Sequence, residues 1–371
     1  MSLMQQSRDM PVLILKGSPR ERGRIYGEAL KAPIGDFVGR WKSTIFQDTA
    51  QDPQEYLEAF IADTHLLPAV ERWTPDVLEE VRGIAEGSGL EFNTVLALQM
   101  PDEEWWYRLE KRKSQTQRDP EHCSALGVYD QRDLPPLLAE NLDTPDYFDG
   151  YQVLLHIKDP ASPIESFVFT VAGLVAANGV NNQGVGICCN ALPQLNYAAD
   201  GLPVAFVHRG VLAQPALEDA VAFVRGIKHA TGQNYMIGAP EKIVTYECSA
   251  NQVRQYVPDV GATRLFHTNH PLANDDLRRK KRQTAGIPSN SEVRLSTLER
   301  HLGDSSVRVN VDMIKSALGS HDSSEHPVCR HKSSDDSWMT VGCSIMVLST
   351  SPELHLAPGP PCSTDFQTFT F

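Results

Sequence analysis

Over roughly the first 110 residues, apolar positions recur with the period of a helix; after that they come in short runs separated by turn residues. The opening run "PVLILKG" reads as a short strand ending at Gly17. "SPRERGRIYGEALKAPIGDFVGRW" follows, beginning with the serine and proline that cap and start helices, and predicts one continuous helix. Gly23 and Gly27 lie one turn apart on one face of it, which permits close approach of another backbone. "PQEYLEAFIADTHLLPAVERW", "TPDVLEEVRGIAEGSGL" and "EFNTVLALQMPDEEWWYRLEKRK" predict three more helices, the second opened by Thr-Pro and closed by Gly-Ser-Gly.

After the polar connector "KSQTQRDPEH" the pattern changes to strands: "CSALGVYD", "PLLAENLD", "YQVLLHIKD" and "SFVFTVAGLVA". "ANGVNNQGVGICCNAL" has an Asn-rich turn between two apolar runs and predicts a hairpin. A helix over "QPALEDAVAFVRGIKHA" precedes four more strands, "NYMIGAP", "KIVTYECSA", "QVRQYVPDV" and "ATRLFHTNH". "ANDDLRRKKRQTAGIPSNS" and "GSHDSSEHPVCRHKSSDDS" read as polar loops, with helices "EVRLSTLERHL" and "VNVDMIKSAL" between them. "MTVGCSIMVLST" and "LHLAPG" predict a closing hairpin. Strands and helices in this order imply an α+β fold with two sheets and helices outside them.

Composition narrows the function classes. The chain has 371 residues, 41% hydrophobic and 22% charged, which predicts a packed core. A net charge of −13 argues against nucleic acid or an anionic membrane as partner. The N-terminal stretch has no apolar run behind a basic region, so no secretory signal is expected, and no stretch approaches the ~20 apolar residues of a membrane span. Seven cysteines without a dense framework suggest free thiols in a reducing, cytoplasmic setting, with Cys188 and Cys189 as buried fillers.

The candidate chemistry centres on Cys123. An isolated cysteine is ordinarily a small buried hydrophobe, but this one begins a strand directly after a polar, proline-containing connector. A thiol there can attack the carbonyl of His122, and hydrolysis of the resulting ester would leave Cys123 with a free α-amine. That amine, with an intrinsic pKa of about 8, can serve as base for its own thiol. Asp143, in "AENLD", is suited to orient the amine, and Asn269, in "FHTNHPL", is suited to donate to an oxyanion. Taken singly, the first reads as a turn carboxylate and the second as a loop-capping amide.

Collinear motifs add a family resemblance. "GSPRERGRIYGEAL", "EEVRGIAEGSGLEFNTVLAL", "HCSALG" with "AENLD", "AANGVNNQGVGICCNAL", "FHTNH", "SNSEVRLSTLERHL" and "PVCRH" together resemble the acyl-coenzyme A:6-aminopenicillanic acid acyltransferase family of N-terminal-nucleophile hydrolases. The resemblance implies a four-layer αββα core and a precursor that cuts itself between His122 and Cys123. It implies an N-terminal, mostly helical fragment (1–122) retained beside a catalytic fragment (123–371), the two forming one structural domain. It implies that Cys123 carries the acyl group, with Asp143 and Asn269 in the roles above, and it puts Arg294 and Arg330 at arginine positions suited to support or substrate orientation. The family usually has glycine before the nucleophile and threonine after it; this chain has His122 and Ser124.

Other candidates carry less. His321, His326, Cys329 and His331 fit no standard zinc spacing, so no metal and no cofactor are expected. His267 or His270 as partner of Cys123 would be a papain-like arrangement, in which the cysteine should open a helix. Trp105, Trp106 and Tyr107 are candidates for the wall of an acyl pocket, with core packing the alternative. The basic run Arg278 to Arg282 reads as a solvated loop. The expected function is hydrolysis of a small N-acyl amide through a Cys123 thioester, with acyl transfer to an amine, or a non-catalytic binding protein, as alternatives. The partners expected are the amide substrate and the chain's own two fragments, with oligomers allowed.

Overall fold

The computed structural model describes residues 8–111, 123–259, 262–278, 288–333 and 337–371. The N-terminal helical region begins after strand β1 (Val12–Lys16) and contains α1 (Pro19–Ala29), α2 (Lys31–Thr49), α3 (Pro53–Asp63), α4 (Leu66–Trp73), α5 (Pro75–Ser88), α6 (Phe92–Leu98) and α7 (Pro101–Lys111). Three of the continuous helices expected from the pattern are each divided in two, at Leu30, at Thr64–His65 and at Gln99–Met100. Proline sets each break: Pro33, Pro68 and Pro101 lack an N–H and fit only a first turn, so a helix restarts just ahead of them.

The two glycines of α1 do what their spacing suggests, and α5 supplies two more. A Cβ on Gly23 would lie 1.9 Å from the Glu80 carbonyl oxygen, and one on Gly27 2.5 Å from that of Ile84. In return, a Cβ on Gly83 would lie 2.1 Å from the Arg20 oxygen and one on Gly87 2.3 Å from that of Arg24. The two backbones are therefore in direct contact along two turns. Gly23→Ala is expected to lower unfolding free energy by about 1–3 kcal/mol, because backbone cannot rotate out of the way and overpacking outweighs the gain in helix propensity. Gly39→Ala on α2, where a Cβ meets nothing within 4 Å, should stabilise by about 0.5–1 kcal/mol. Denaturant titration of both variants checks the opposite signs.

Two sheets follow. The strands are β2 (Ser124–Val128), β3 (Leu137–Pro145), β4 (Gln152–Lys158), β5 (Glu165–Val171), β6 (Asn178–Asn181), β7 (Gly186–Ala191), β8 (Gln233–Ala239), β9 (Lys242–Cys248), β10 (Val253–Tyr256), β11 (Arg264–His267), β12 (Trp338–Val347), β13 (Glu353–Ala357) and β14 (Gln367–Thr370). The eight-stranded sheet has the order β1-β4-β5-β6-β7-β8-β9-β10, and the six-stranded sheet β11-β2-β3-β12-β13-β14. β1 pairs parallel with β4, so the N-terminal segment is woven into the larger sheet. β14 adds a strand beyond the expected closing hairpin.

Three apolar clusters define the layers. Alternate residues of the two sheets, among them Leu138, Leu154, Phe169, Met236 and Met346, pack face to face. The outer face of the larger sheet packs against α1–α7 and against α8 (Val204–Leu212) and α9 (Leu217–Gly226). The outer face of the smaller sheet packs against α10 (Asn290–Leu302) and α11 (Val311–Leu318). The result is the expected α+β fold in four layers, αββα. Helix α8 has no counterpart in the pattern reading. Every residue from Ala205 to Leu212 is buried, so its sequence shows no amphipathic period. It is anchored by Arg209, which forms a two-point pair with the buried Glu80 of α5 at 2.6 and 2.9 Å.

Candidate active site

Cys123 stands one residue ahead of β2, whose first rung pairs Ser124 with Asn141 of β3. That register brings the return strand alongside it, and the Cys123 Sγ lies 3.7 Å from the Asp143 carbonyl oxygen. Opposite this point β12 carries an irregularity between Thr340 and Gly342, a bulge that leaves Thr340 paired with Asp143. Thr340 Oγ1 donates to Asp143 Oδ1 at 2.6 Å. The Thr340 hydroxyl in turn accepts from the Arg330 backbone N–H at 2.9 Å. The Asp143 carboxylate is thus oriented from behind, as a residue that must hold a nearby amine would need to be.

Asn269 arrives from the other side. It follows β11, and the first turn of α10 holds it: Ser291 Oγ accepts from the Asn269 N–H at 2.7 Å. Three residues on, Arg294 is fully buried and ties the parts together. One guanidinium nitrogen donates to the Cys123 carbonyl at 2.6 Å and to Ser124 Oγ at 2.8 Å, and another to Asn269 Oδ1 at 2.8 Å. Fixing Oδ1 on a cation fixes which end of the amide is the donor. Nδ2 is then left to donate, and it reaches the Ala191 carbonyl at 3.0 Å. The Ser124 hydroxyl is thereby tied to Arg294. Arg294 thus reaches the site through its guanidinium, whereas the contact that links Arg330 to the site, through Thr340, is made by its backbone N–H.

Cys123, Asp143 and Asn269 all line one cavity of about 190 Å³. Its walls are largely apolar, including Trp41, Trp105, Leu142, Tyr147, Leu174 and Trp338. Among the described residues one arginine lines it, Arg108, which is paired with Asp48 and with Glu104 at 2.6 Å. His208 also lines it, and burial pushes its pKa down to about 3, so the ring is neutral. Of the three aromatic residues expected at the pocket, only Trp105 is there. Trp106 stacks on Tyr197 with centroids 4.8 Å apart, and the Arg278 guanidinium lies over its ring. Tyr107 donates to Asp63 at 2.7 Å and packs against Tyr56 and Phe60. Consecutive helix residues point about 100° apart, so three in a row cannot share one wall.

The remaining candidates separate from the cavity. His267 is buried and bonded to Glu247 at 2.9 Å, and His270 is 2.7 Å from Ser291 Oγ. With Cys123 ahead of a strand, the papain-like arrangement is absent among the described residues. His122 and Arg279 to Arg282 lie outside the described residues. His326 contacts Asn290. His321, Cys329 and His331, by contrast, converge with Cys362 (their ligand atoms lie within 4.8 Å of one another), a grouping that local spacing did not reveal.

Two electrostatic features bear on chemistry. Burial first, and then the negative charges of Glu140 and Asp143, hold the Cys123 thiol well above its usual range, with Arg294 opposing. The thiol is therefore held in its neutral form. Glu140, which pattern reading passed over, points between the sheets and accepts from Asn178 Nδ2 at 2.8 Å. Burial raises its pKa to about 8 from an ordinary 4.5, with Asp143 adding to the shift. The folded state therefore holds a proton that the unfolded state releases, so stability falls as pH rises from about 4.5 towards about 8. Glu140→Gln removes this contribution. The variant's stability relative to the parent is expected to increase with pH across that window, by up to about 1.4 kcal/mol per pH unit. Denaturant titrations at pH 5 and pH 8 test this; the same difference at both would show that Glu140 does not hold its proton.

Of the comparisons with known proteins, the family model agrees with the motif reading. Among curated proteins no sequence matches. Solved structures with related backbones include the Caenorhabditis elegans ortholog of N-acylethanolamine-hydrolyzing acid amidase, 15% identical, covering 61% of this chain and 92% of that one, with a TM-score of 0.45. A mutant of the conjugated bile acid hydrolase from Clostridium perfringens is 11% identical over 67% of this chain and 97% of that one, with a TM-score of 0.40. Penicillin V acylase from Agrobacterium tumefaciens is 10% identical over 67% and 85%, with a TM-score of 0.36. Similarity at this level identifies no shared substrate. The sequence model of one family, described as acyl-coenzyme A:6-aminopenicillanic acid acyl-transferase, matches residues 151–351, more than half of the chain. That span contains Asn269, Arg294 and Arg330. The chain belongs to the acyl-coenzyme A:6-aminopenicillanic acid acyl-transferase family, and it is an enzyme of acyl–nitrogen bond chemistry.

Proposed function

We propose that the protein is a self-processing cysteine amidohydrolase that cleaves the C–N bond of a small N-acyl compound. The observation that carries the reading is the convergence of Cys123, Asp143 and Asn269 on one mostly apolar cavity. Processing comes first: the thiol attacks the His122 carbonyl, the peptide C–N bond breaks, and water releases the carboxyl end. A cut there breaks no rung of the smaller sheet, because the ladder starts at Ser124. Residues 1–122 would stay bound, since β1 pairs with β4 and the N-terminal helices cover the larger sheet.

In the mature site the α-amine of Cys123 removes the thiol proton. Sulfur attacks the substrate carbonyl while Asn269 Nδ2 donates to the oxygen as it gains charge. The C–N bond breaks, the α-ammonium returns its proton to the leaving amine, and the acyl group remains as a thioester. Water then attacks the thioester with the amine again as base, releasing a carboxylic acid and restoring the thiol. Asp143 orients the ammonium form throughout. Apolar walls favour an apolar acyl group, and the only arginine lining the cavity among the described residues is already paired, which favours an uncharged one.

Whether water or a second amine takes the acyl group decides hydrolysis against transfer. The test is a panel of N-acyl amides with apolar and anionic acyl groups, each with and without an added acceptor amine. Free acid without acceptor, from apolar acyl groups above all, is the expected result. New amide formed without any free acid would establish a transferase instead.

A further inference from the structure

We propose that His321, Cys329, His331 and Cys362 form a structural zinc site. The four come from two places in the fold. Three lie on the irregular segment between α11 and β12, and Cys362 lies in the turn between β13 and β14. Their ligand atoms all fall within 4.8 Å of one another. The Cys329 and Cys362 sulfurs are 3.4 Å apart, and His331 Nε2 is 3.0 Å from Cys362 Sγ. A tetrahedral site with Zn–S of about 2.3 Å and Zn–N of about 2.0 Å has ligand-to-ligand edges of roughly 3.3–3.8 Å, close to this spacing. A disulfide needs sulfurs about 2.05 Å apart. Two thiolates and two imidazoles also match the ligand preference of zinc among common divalent ions.

The surroundings have the character of a prepared site. The segment from Gly319 to Ser333 has no regular secondary structure, and so long an irregular stretch in a compact fold calls for a staple. The buried Asn141 side chain donates to the Leu318 and Val328 carbonyls at 2.8 and 3.0 Å, holding the entry to the segment and the residue before Cys329 on the smaller sheet. The Cys329 N–H donates to the Ser320 carbonyl at 3.1 Å, folding the segment back so that His321 and Cys329 meet. The His321 and His331 rings stack at 5.3 Å. His326, which spacing offers as a ligand, instead contacts Asn290.

The site also has a mechanical link to the proposed active site. Cys329 precedes Arg330, whose N–H binds the Thr340 hydroxyl that donates to Asp143. Metal at the four ligands would fix the strand end that aims the Asp143 carboxylate; this consequence rests on the proposed role of Asp143, whereas metal binding does not.

The experiment measures metal in the full-length protein purified without chelator or metal-affinity resin. Inductively coupled plasma mass spectrometry is expected to find about one zinc per chain, and Cys362→Ser and Cys329→Ser should each lower it at least tenfold. Because either variant can misfold, the parent protein is also stripped and reloaded with Co²⁺. Intense visible bands of tetrahedral cobalt with a sulfur charge-transfer band are expected, together with a rise in melting temperature. Undiminished zinc in folded Cys362→Ser protein would overturn the proposal. So would metal-free protein that gives no such cobalt spectrum, or an intact mass under non-reducing conditions showing a Cys329–Cys362 disulfide. If the metal is present but processing and turnover are unchanged on its removal, the link to Asp143 fails and the zinc site stands.

Discussion

Cys123→Ala protein is expected to remain one uncut chain and to lose amide turnover by a factor on the order of 10³ or more. Both losses follow from one atom. In the proposed mechanism the same sulfur attacks the His122 carbonyl during processing and the substrate carbonyl during turnover, and no other thiol is placed to replace it. Cys189 lines the same cavity, but it is one of a pair inside β7, with no chain end to serve as its base. Burial and Glu140 also hold its thiol well above the usual range. The fold should survive, because Cys123 precedes the first rung of β2 and its carbonyl, which alanine retains, is the group that Arg294 binds. Denaturing electrophoresis and product release checked on the same preparation separate a chemical defect from a folding one. A Cys123→Ala protein that still splits before residue 123, or that turns over normally, would show that the nucleophile lies elsewhere.

Asn269→Ala is expected to lower kcat by about 10²–10³ while changing KM only a few-fold, the signature of a donor that works mainly in the transition state. Arg294 holds Oδ1, so Nδ2 is the donor end; one of its protons reaches the Ala191 carbonyl, and the proposal assigns the other to the oxyanion. Asn269→Asp should be worse than alanine: it offers an acceptor where a donor is required, beside a developing negative charge. A purely structural role predicts a different pattern, since Asp would form an ion pair with Arg294 and recover stability that Ala loses. Melting temperature and single-turnover acylation, measured on both variants, distinguish the two roles. If Asp is the more active of the pair, Asn269 holds Arg294 in place and does not stabilise an oxyanion.

Much of this is legible in the amino-acid sequence. Apolar runs bounded by turn residues mark the strands, because most of them are buried on both faces between layers. The glycine pair of α1 announced a close helix contact, though not that Gly83 and Gly87 would answer it. The divided helices show the limit of period alone: Pro33, Pro68 and Pro101 interrupt runs whose apolar spacing continues across them. Helix α8 was hidden for the opposite reason, being buried all round. At the site, Cys123, Asp143 and Asn269 stood out by residue type and motif, and the fold brings them to one cavity. Thr340 and Glu140 did not stand out, since their parts depend on a bulge in β12 and on the packing of two sheets, which no local pattern records. Adjacency to Trp105 does not bring Trp106 and Tyr107 to the pocket, because neighbours on a helix face different ways. No local spacing joins Cys362 to His331, because 31 residues separate them and only the turn after β13 brings them together.

The central claim is that the working nucleophile sits at a chain end made by the protein itself. Fully active protein, mixed with substrate, quenched in acid within the first turnover and digested, can be read by tandem mass spectrometry. The account predicts a peptide that begins at Cys123, carries a free α-amine, and bears the acyl group on its sulfur. Active protein in which Cys123 is still joined to His122 would contradict it.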